Sequence, residues 1–225
     1  MSARLHFADA GEAADLAAFL ARLVHYDKAA AVRLQAAGDT LAVFGRPPSF
    51  DVLAIRTARL AKPYEGGSTA TLDVTVSAGE FLESVGDAAG SEGVAAVPGA
   101  VTGPPWAGVL PPRGGWRQES ELPVMGAVRA LVTAAVTEFK ARVEELPAER
   151  RVRAELDRVG REIWSRTVAG TPLPVRAAHA AQSLGFLRGD TLTLLSSGAW
   201  LRLRTAYGSV AVRRAGVGGL SVTPA

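Results

Sequence analysis

Apolar residues recur at helical spacing near the start of the chain and form one stripe on a helix. The stripe consists of Leu16, Phe19, Leu20 and Leu23. Asp9 and Glu12 have the spacing of a capping box and predict the first turn of this helix. A second helical stretch is predicted over residues 27–37, ending at Gly38 as a C-cap. Together the two segments predict an N-terminal helix pair.

After Gly38 the hydrophobic period changes from helical spacing to two. β-Branched and aliphatic residues predict strands at 40–44, 50–60 and 72–76. The Gly-Arg-Pro-Pro run at 45–48 supplies a turn between the first two strands. This region therefore predicts an antiparallel sheet, because short turns join neighbouring strands that run in opposite directions.

Regular periodicity disappears over residues 87–120, where Gly, Ala and Pro dominate, and this stretch is predicted to be a linker. The longest helical pattern begins near Pro123. Pro147 interrupts the pattern, and a second apolar stripe at the same spacing follows it. The two stretches predict a long helical hairpin.

The end of the chain returns to strand patterning after a small-residue helix at 175–186. Residues 190–195, 200–205 and 209–213 predict a three-stranded β-meander. The sequence thus predicts an α+β fold: an antiparallel sheet with an N-terminal helix pair, a long central helical hairpin and a C-terminal β-meander.

The predicted organisation along the chain has three parts. An N-terminal α+β unit covers residues 1–86, the Pro/Gly-rich linker covers 87–120, and the helical hairpin with the last helix and the meander covers 121–225. A single domain that contains both units is the alternative.

No residue pattern in this chain predicts a reaction. There is no Cys, and the three His residues lie far apart at His6, His25 and His179. Hydrolytic, redox and metal chemistry draws mostly on thiolates, imidazoles or clustered carboxylates. The sequence therefore predicts no catalytic residues, no cofactor and no metal site, and it favours a protein that is not an enzyme. An enzyme whose site the fold assembles from distant residues stays an alternative.

Arginine dominates the basic residues, because Lys28, Lys62 and Lys140 are the only lysines among 25 Lys plus Arg. This skew indicates a G+C-rich bacterial genome before it indicates chemistry, and the net charge of +3 neither requires nor forbids nucleic acid. Arginines and carboxylates alternate on the second helix of the hairpin, which predicts a solvated face of ion pairs. The N-terminus lacks an apolar run of signal-peptide length, so the expected location is cytoplasmic, with no membrane partner.

A candidate polyanion-binding set lies in the meander. It consists of Trp200, Arg202, Arg204, Tyr207 and Arg213. The period of two places the first three on one face of their strand and two leucines on the other. Aromatic and guanidinium groups that share a sheet face are one way in which proteins hold single-stranded nucleic acid. The other interpretation is that the Trp is half-buried and the arginines only solubilise the sheet.

The sequence leaves three functions open. The first is a non-catalytic binding or interaction protein that self-associates or binds a protein partner through an apolar helix face. The alternative is a nucleic-acid-binding protein that uses the meander or a winged-helix-like unit. In that unit, the groove-facing residues would be Arg176, His179, Gln182 and Ser183. The second alternative is an enzyme without a recognisable motif.

Overall fold

A computed structural model of the chain describes residues 3–64, 71–90, 93–119 and 124–214. The chain divides into two compact units. The first comprises Met1–Pro111 together with Tyr207–Ser209, and the second comprises Pro112–Ala206 with Val210–Ala225. The predicted α+β class is confirmed, because both units combine helices with antiparallel strands.

Two packed helices form one layer of the first unit. Helix α1 (Ala10–Tyr26) begins where the sequence predicts, since the Asp9 carboxylate accepts the Glu12 N–H at 2.9 Å. Helix α2 (Ala78–Ala89) begins after Ser77, whose hydroxyl accepts the Glu80 N–H at 3.4 Å. The predicted apolar stripe of α1 is buried and lies against α2 and the sheet.

The first unit contains two antiparallel sheets. Their strands are β1 (Arg4–His6), β2 (Ala31–Ala37), β3 (Thr40–Gly45), β4 (Leu53–Arg59), β5 (Thr71–Ser77) and β6 (Val94–Ala96). Strands β1 and β6 pair with each other. The other strands follow the order β5-β2-β3-β4. The first helix and the sheet are also joined by an ion pair between Arg56 and Asp15 at 2.8 Å.

The prediction of a helix over residues 27–37 is wrong, because residues 31–37 form β2. Val32, Leu34 and Ala36 are buried and alternate with less buried residues, which is the period of a strand. Strand β2 hydrogen-bonds to neighbours on both sides, and these sheet bonds override the helix propensity of its alanines. Gly38, with φ of +59°, forms the β2–β3 turn and not a helix C-cap.

Three helices belong to the second unit. They are α3 (Met125–Glu144), α4 (Arg153–Trp164) and α5 (Val175–Ser183). Helices α3 and α4 form the predicted antiparallel hairpin: Phe139 packs on Trp164 at 5.8 Å between ring centroids. The predicted start of the long helix at Pro123 lies outside the described residues.

The predicted three-stranded β-meander is formed by β8 (Thr193–Ser197), β9 (Trp200–Thr205) and β10 (Gly208–Arg213). All of it except Gly208 and Ser209 belongs to the second unit. Strand β7 (Arg117–Gln118) pairs with β8 at the edge of the meander. These strands follow the order β10-β9-β8-β7. Leu194, Leu201 and Leu203 are buried, so one face of the meander belongs to the core.

The stretch predicted as a linker contains several ordered elements. The end of α2, strand β6, a 3-10 turn at Pro105–Gly108 and strand β7 all lie within residues 87–120. The domain limits drawn from composition stay a prediction. Among the described residues, none of the helices is both long and apolar enough to cross a membrane.

Close contact between α1 and the sheet depends on Gly45. A Cβ atom at this position would lie 2.4 Å from Leu23 Cδ1, and Leu23 is almost fully buried. We expect Gly45→Ala to lower the free energy of unfolding by about 1–3 kcal/mol, because the core has no room for the added methyl group. Urea denaturation would measure this loss.

Gly86→Ala is the matched control for this substitution. Gly86 lies on an exposed position inside α2, where an added Cβ meets nothing within 4 Å. The same change should therefore stabilise the protein by up to about 1 kcal/mol through helix propensity. Equal effects of the two substitutions would contradict the close packing at Gly45.

Candidate nucleic-acid interface

Strand β9 divides its side chains between the core and the outer face as the sequence predicts. Leu201, Leu203 and Thr205 are buried. Arg204 is exposed, and Trp200 and Arg202 are partly exposed. Neighbouring strand β8 places Thr193, Leu195 and Ser197 opposite Arg204, Arg202 and Trp200 respectively. The outer face therefore carries the indole and both guanidinium groups of β9.

Two arginine–tryptophan stacks lie on this face. The Arg213 Cζ atom lies 5.5 Å from the ring centroid of Trp200. The Arg202 Cζ atom lies 5.8 Å from the ring centroid of Trp116. Both distances are within the range of a cation–π interaction. Each guanidinium group is therefore held against an aromatic ring while it keeps its positive charge.

Trp116 is a further residue of the candidate site. The pairing of β7 with β8 places it there, and the sequence analysis did not identify it as a site residue. The residue directly precedes β7, in which Gln118 pairs with Leu195 of β8. The Trp116 indole N–H donates to the Pro112 carbonyl at 3.0 Å. Sequence reasoning assigned this stretch to a linker, and a two-residue strand is too short to show a period. The available signal was the size of Trp116, because Trp106 and Trp116 are the only aromatic residues in the stretch predicted as a linker.

Positive charge is concentrated on this face. Burial lowers the pKa of Arg202, and repulsion from Arg204 lowers it further. Within the described part of the chain, neither Arg204 nor Arg213 forms an ion pair with a carboxylate. Arg214 does form such an ion pair, since its guanidinium group lies 3.2 Å from the Glu119 carboxylate. An anion on this face would relieve the repulsion between the β9 arginines.

The arginines of the helical hairpin differ from those of the meander, because carboxylates neutralise most of the hairpin arginines. The ion pairs are Arg142–Glu162, Arg150–Glu155, Arg153–Asp157, Arg158–Glu155 and Arg166–Glu138. Hydrogen bonds from Arg142 and Arg166 lower the pKa values of Glu162 and Glu138. The prediction of an ion-paired helix face is thus confirmed. Arg161 is exposed and forms no ion pair within the described residues.

Tyr207 lies in the turn between β9 and β10 and is half-buried. Its part in the predicted set stays a prediction. The residues that the described contacts bring together on the outer face are Trp200, Arg202, Arg204 and Arg213, together with Trp116.

Helix α5 buries one side and leaves the four groove-facing residues of the winged-helix alternative on the other. Its buried residues are Val175, Ala177, Ala178, Ala180 and Ala181. Arg176, His179 and Ser183 are partly exposed, and Gln182 is exposed. The His179 ring stacks on Trp164, with 4.6 Å between centroids and an interplanar angle of 28°. The winged-helix alternative stays a prediction.

No group of three or more His, Asp or Glu side chains within the described ranges is arranged to hold a metal ion.

Residues 1–108 match the family model described as Domain of unknown function (DUF8010). Residues 111–217 match the model described as Domain of unknown function (DUF8185). The two matched regions meet close to Pro111, where the first compact unit of the structure also ends. No curated protein matches the chain.

The stacked His179 makes the stability of the second unit depend on pH. Burial lowers the pKa of His179 below its ordinary value of 6.5. The unfolded chain then binds more protons than the folded protein between these two values, so stability is lost as the pH falls below about 6.5. We expect His179→Phe, which retains a ring against Trp164, to flatten this loss. Urea denaturation at several pH values, followed by Trp fluorescence, would measure it.

His25→Gln is the control, because His25 is exposed at the end of α1. Three of the four Trp residues belong to the second unit, so their emission reports mainly on it. An unchanged pH dependence in His179→Phe would show that another group causes the loss. His6, whose pKa is also lowered by burial and by Lys62 and Arg4, would be the next residue to test.

Proposed function

We propose that this protein is a non-catalytic binding protein and that its C-terminal meander binds single-stranded nucleic acid. The binding surface is the outer face formed by Trp116, Trp200, Arg202, Arg204 and Arg213. A bound strand would place phosphate groups against the guanidinium groups and bases against the indole rings.

The observation that carries this proposal is the contrast between two sets of arginines in one unit. Those of the helical hairpin are mostly neutralised by carboxylates of the same chain. On the meander, Arg213 lies beside the Trp200 indole, and neither Arg204 nor Arg213 forms an ion pair with a carboxylate of the described residues. Stacking fixes the position of a guanidinium group without cancelling its charge, so its donors stay suited to an anionic partner.

A single strand fits this face better than a duplex does. A β-sheet face with partly exposed indoles offers stacking positions for unpaired bases, whereas the bases of a duplex are already stacked on each other. Duplex recognition commonly uses a helix or a β-ribbon in the major groove. In α5, the helix that would enter the groove, the His179 ring is stacked on Trp164 of the same unit.

The expectation of self-association through an apolar helix face stays a prediction. Large hydrophobic side chains that are exposed among the described residues are Tyr26, Val101, Val109, Val124 and Val152. They lie at the ends of helices or in loops and do not form one helix face. The enzyme alternative also stays a prediction, without residues to which a reaction can be assigned.

The proposal predicts that removal of the meander arginines weakens binding and flattens its dependence on salt. Arg204→Ala and Arg213→Ala should each reduce affinity for labelled oligothymidine. For each phosphate that is no longer neutralised, the slope of log affinity against log salt should become shallower by about 0.7. Trp200→Leu should weaken binding further, by about 1–3 kcal/mol for the missing base stack, with a smaller effect on duplex. Fluorescence anisotropy at low and moderate salt would measure all three.

Arg161→Ala is the matched control, because it removes an exposed arginine without an ion pair from the helical hairpin of the same unit. It should leave affinity and salt slope nearly unchanged. No binding of oligothymidine at low salt would overturn the proposal. Equal losses in Arg161→Ala and Arg204→Ala would also overturn it, since they would indicate general attraction to a basic protein.

A further inference from the structure

The first unit contains a groove of its own, lined by residues that take no part in the candidate nucleic-acid interface. Its volume is about 430 Å³, within the range of about 300–1,000 Å³ found for small-molecule sites. Its lining includes Asp27, Arg46, Ser77, Val101, Pro104 and Trp106. The groove therefore combines charged groups with an aromatic ring and aliphatic side chains.

The charges around this groove favour a cation. Asp27 is the C-cap of α1, so its carboxylate lies at the negative end of a 17-residue helix. One of its oxygens accepts the Ala29 N–H at 2.9 Å. Arg46 contributes the positive charge of the lining, but it forms an ion pair with Asp51 at 2.5 Å. The Arg46–Asp51 pair is neutral as a whole, and Asp27 forms no ion pair with any of the described residues.

The segment that carries the aromatic wall of the groove is anchored to the sheet through its backbone. Trp106 lies in the 3-10 turn Pro105–Gly108. The Arg33 guanidinium donates to the carbonyl of Ala107 in this turn and makes two further bonds to Asp73 at 2.7 and 2.8 Å. The Val101 N–H donates to the Thr75 carbonyl at 2.9 Å. Strands β2 and β5 thus hold both ends of the segment that carries Trp106.

We propose that this groove binds a small organic ammonium compound. Its cationic group would lie between the Asp27 carboxylate and the Trp106 indole, because tryptophan is the ring that attracts ammonium groups most strongly. Its short apolar part would lie against Val101 and Pro104. Asp27 is exposed, so water screens its charge, and the expected dissociation constants are millimolar.

Titration of the 225-residue chain with tetramethylammonium and butylammonium chloride at constant ionic strength tests the proposal. The readout is the NMR signal of the Trp106 indole N–H, assigned by its disappearance in Trp106→Phe. The indoles of Trp116, Trp164 and Trp200, which all belong to the second unit, serve as internal references. A saturable shift confined to Trp106 is expected with both amines, and sodium butyrate should cause none.

Asp27→Asn is the decisive variant. The asparagine carbonyl can still accept the Ala29 N–H, so the turn is retained while the charge is removed. The dissociation constant for the amines should rise about threefold to fivefold, as expected for an exposed ion pair. Asp51→Asn should also weaken binding, because it leaves the charge of Arg46 uncompensated, and asparagine tolerates the positive φ of 57° at this position.

Asp39→Asn is the charge-matched control. Asp39 is exposed in the β2–β3 turn, whereas the groove lies at the opposite end of β2, near Ala31. This substitution should change the dissociation constants less than twofold. The proposal is overturned by the absence of a saturable shift at Trp106, by butyrate binding as well as butylammonium, or by equal effects of Asp27→Asn and Asp39→Asn.

Discussion

The permanent charge of the guanidinium group is the constraint on which most of this structure depends. Arginine stays protonated at any pH at which the protein is folded, so each side chain must find a carboxylate, a carbonyl, an aromatic ring or water. The protein uses all four solutions. Arg56 is buried against Asp15, Arg33 bridges a carboxylate and a carbonyl, and Arg202 lies on an indole. The charge that remains after these contacts defines the candidate interface.

The same constraint explains why the two charged surfaces of the second unit differ. On α3 and α4, carboxylates lie within reach across the hairpin or one helical turn away, as in the pairs Arg166–Glu138 and Arg153–Asp157. Exposed pairs of this kind each contribute little stability, but together they neutralise the surface. On β9, successive outward positions are Trp200, Arg202 and Arg204, and the opposing strand β8 provides no acidic residue. Strand geometry therefore brings like charges together.

How far the sequence predicts the fold depends on the competition between local and distant interactions. Where a local signal is specific, as for the Asp9 cap or the Leu201 and Leu203 alternation, the structure follows it. Residues 31–37 show the opposite case, since alanine favours a helix and pairing on both sides, with β3 across a tight turn and with the distant strand β5, makes this stretch a strand. The sequence pattern of β9 also places its arginines correctly. It does not reveal Trp116, whose position depends on a two-residue strand paired across the unit.

An arginine that is stacked on a tryptophan binds an anion at a lower cost than an arginine that is already paired with a carboxylate. A carboxylate partner would have to be displaced, and the net gain from a phosphate would then be small. An indole holds the guanidinium group through its π-face while the N–H donors at the edge of the group keep their directions. Less side-chain entropy is then lost when an anion arrives, because Arg202 and Arg213 are already positioned. The stacks thus give the meander a preorganised cationic face, whereas the helical hairpin carries a neutralised one.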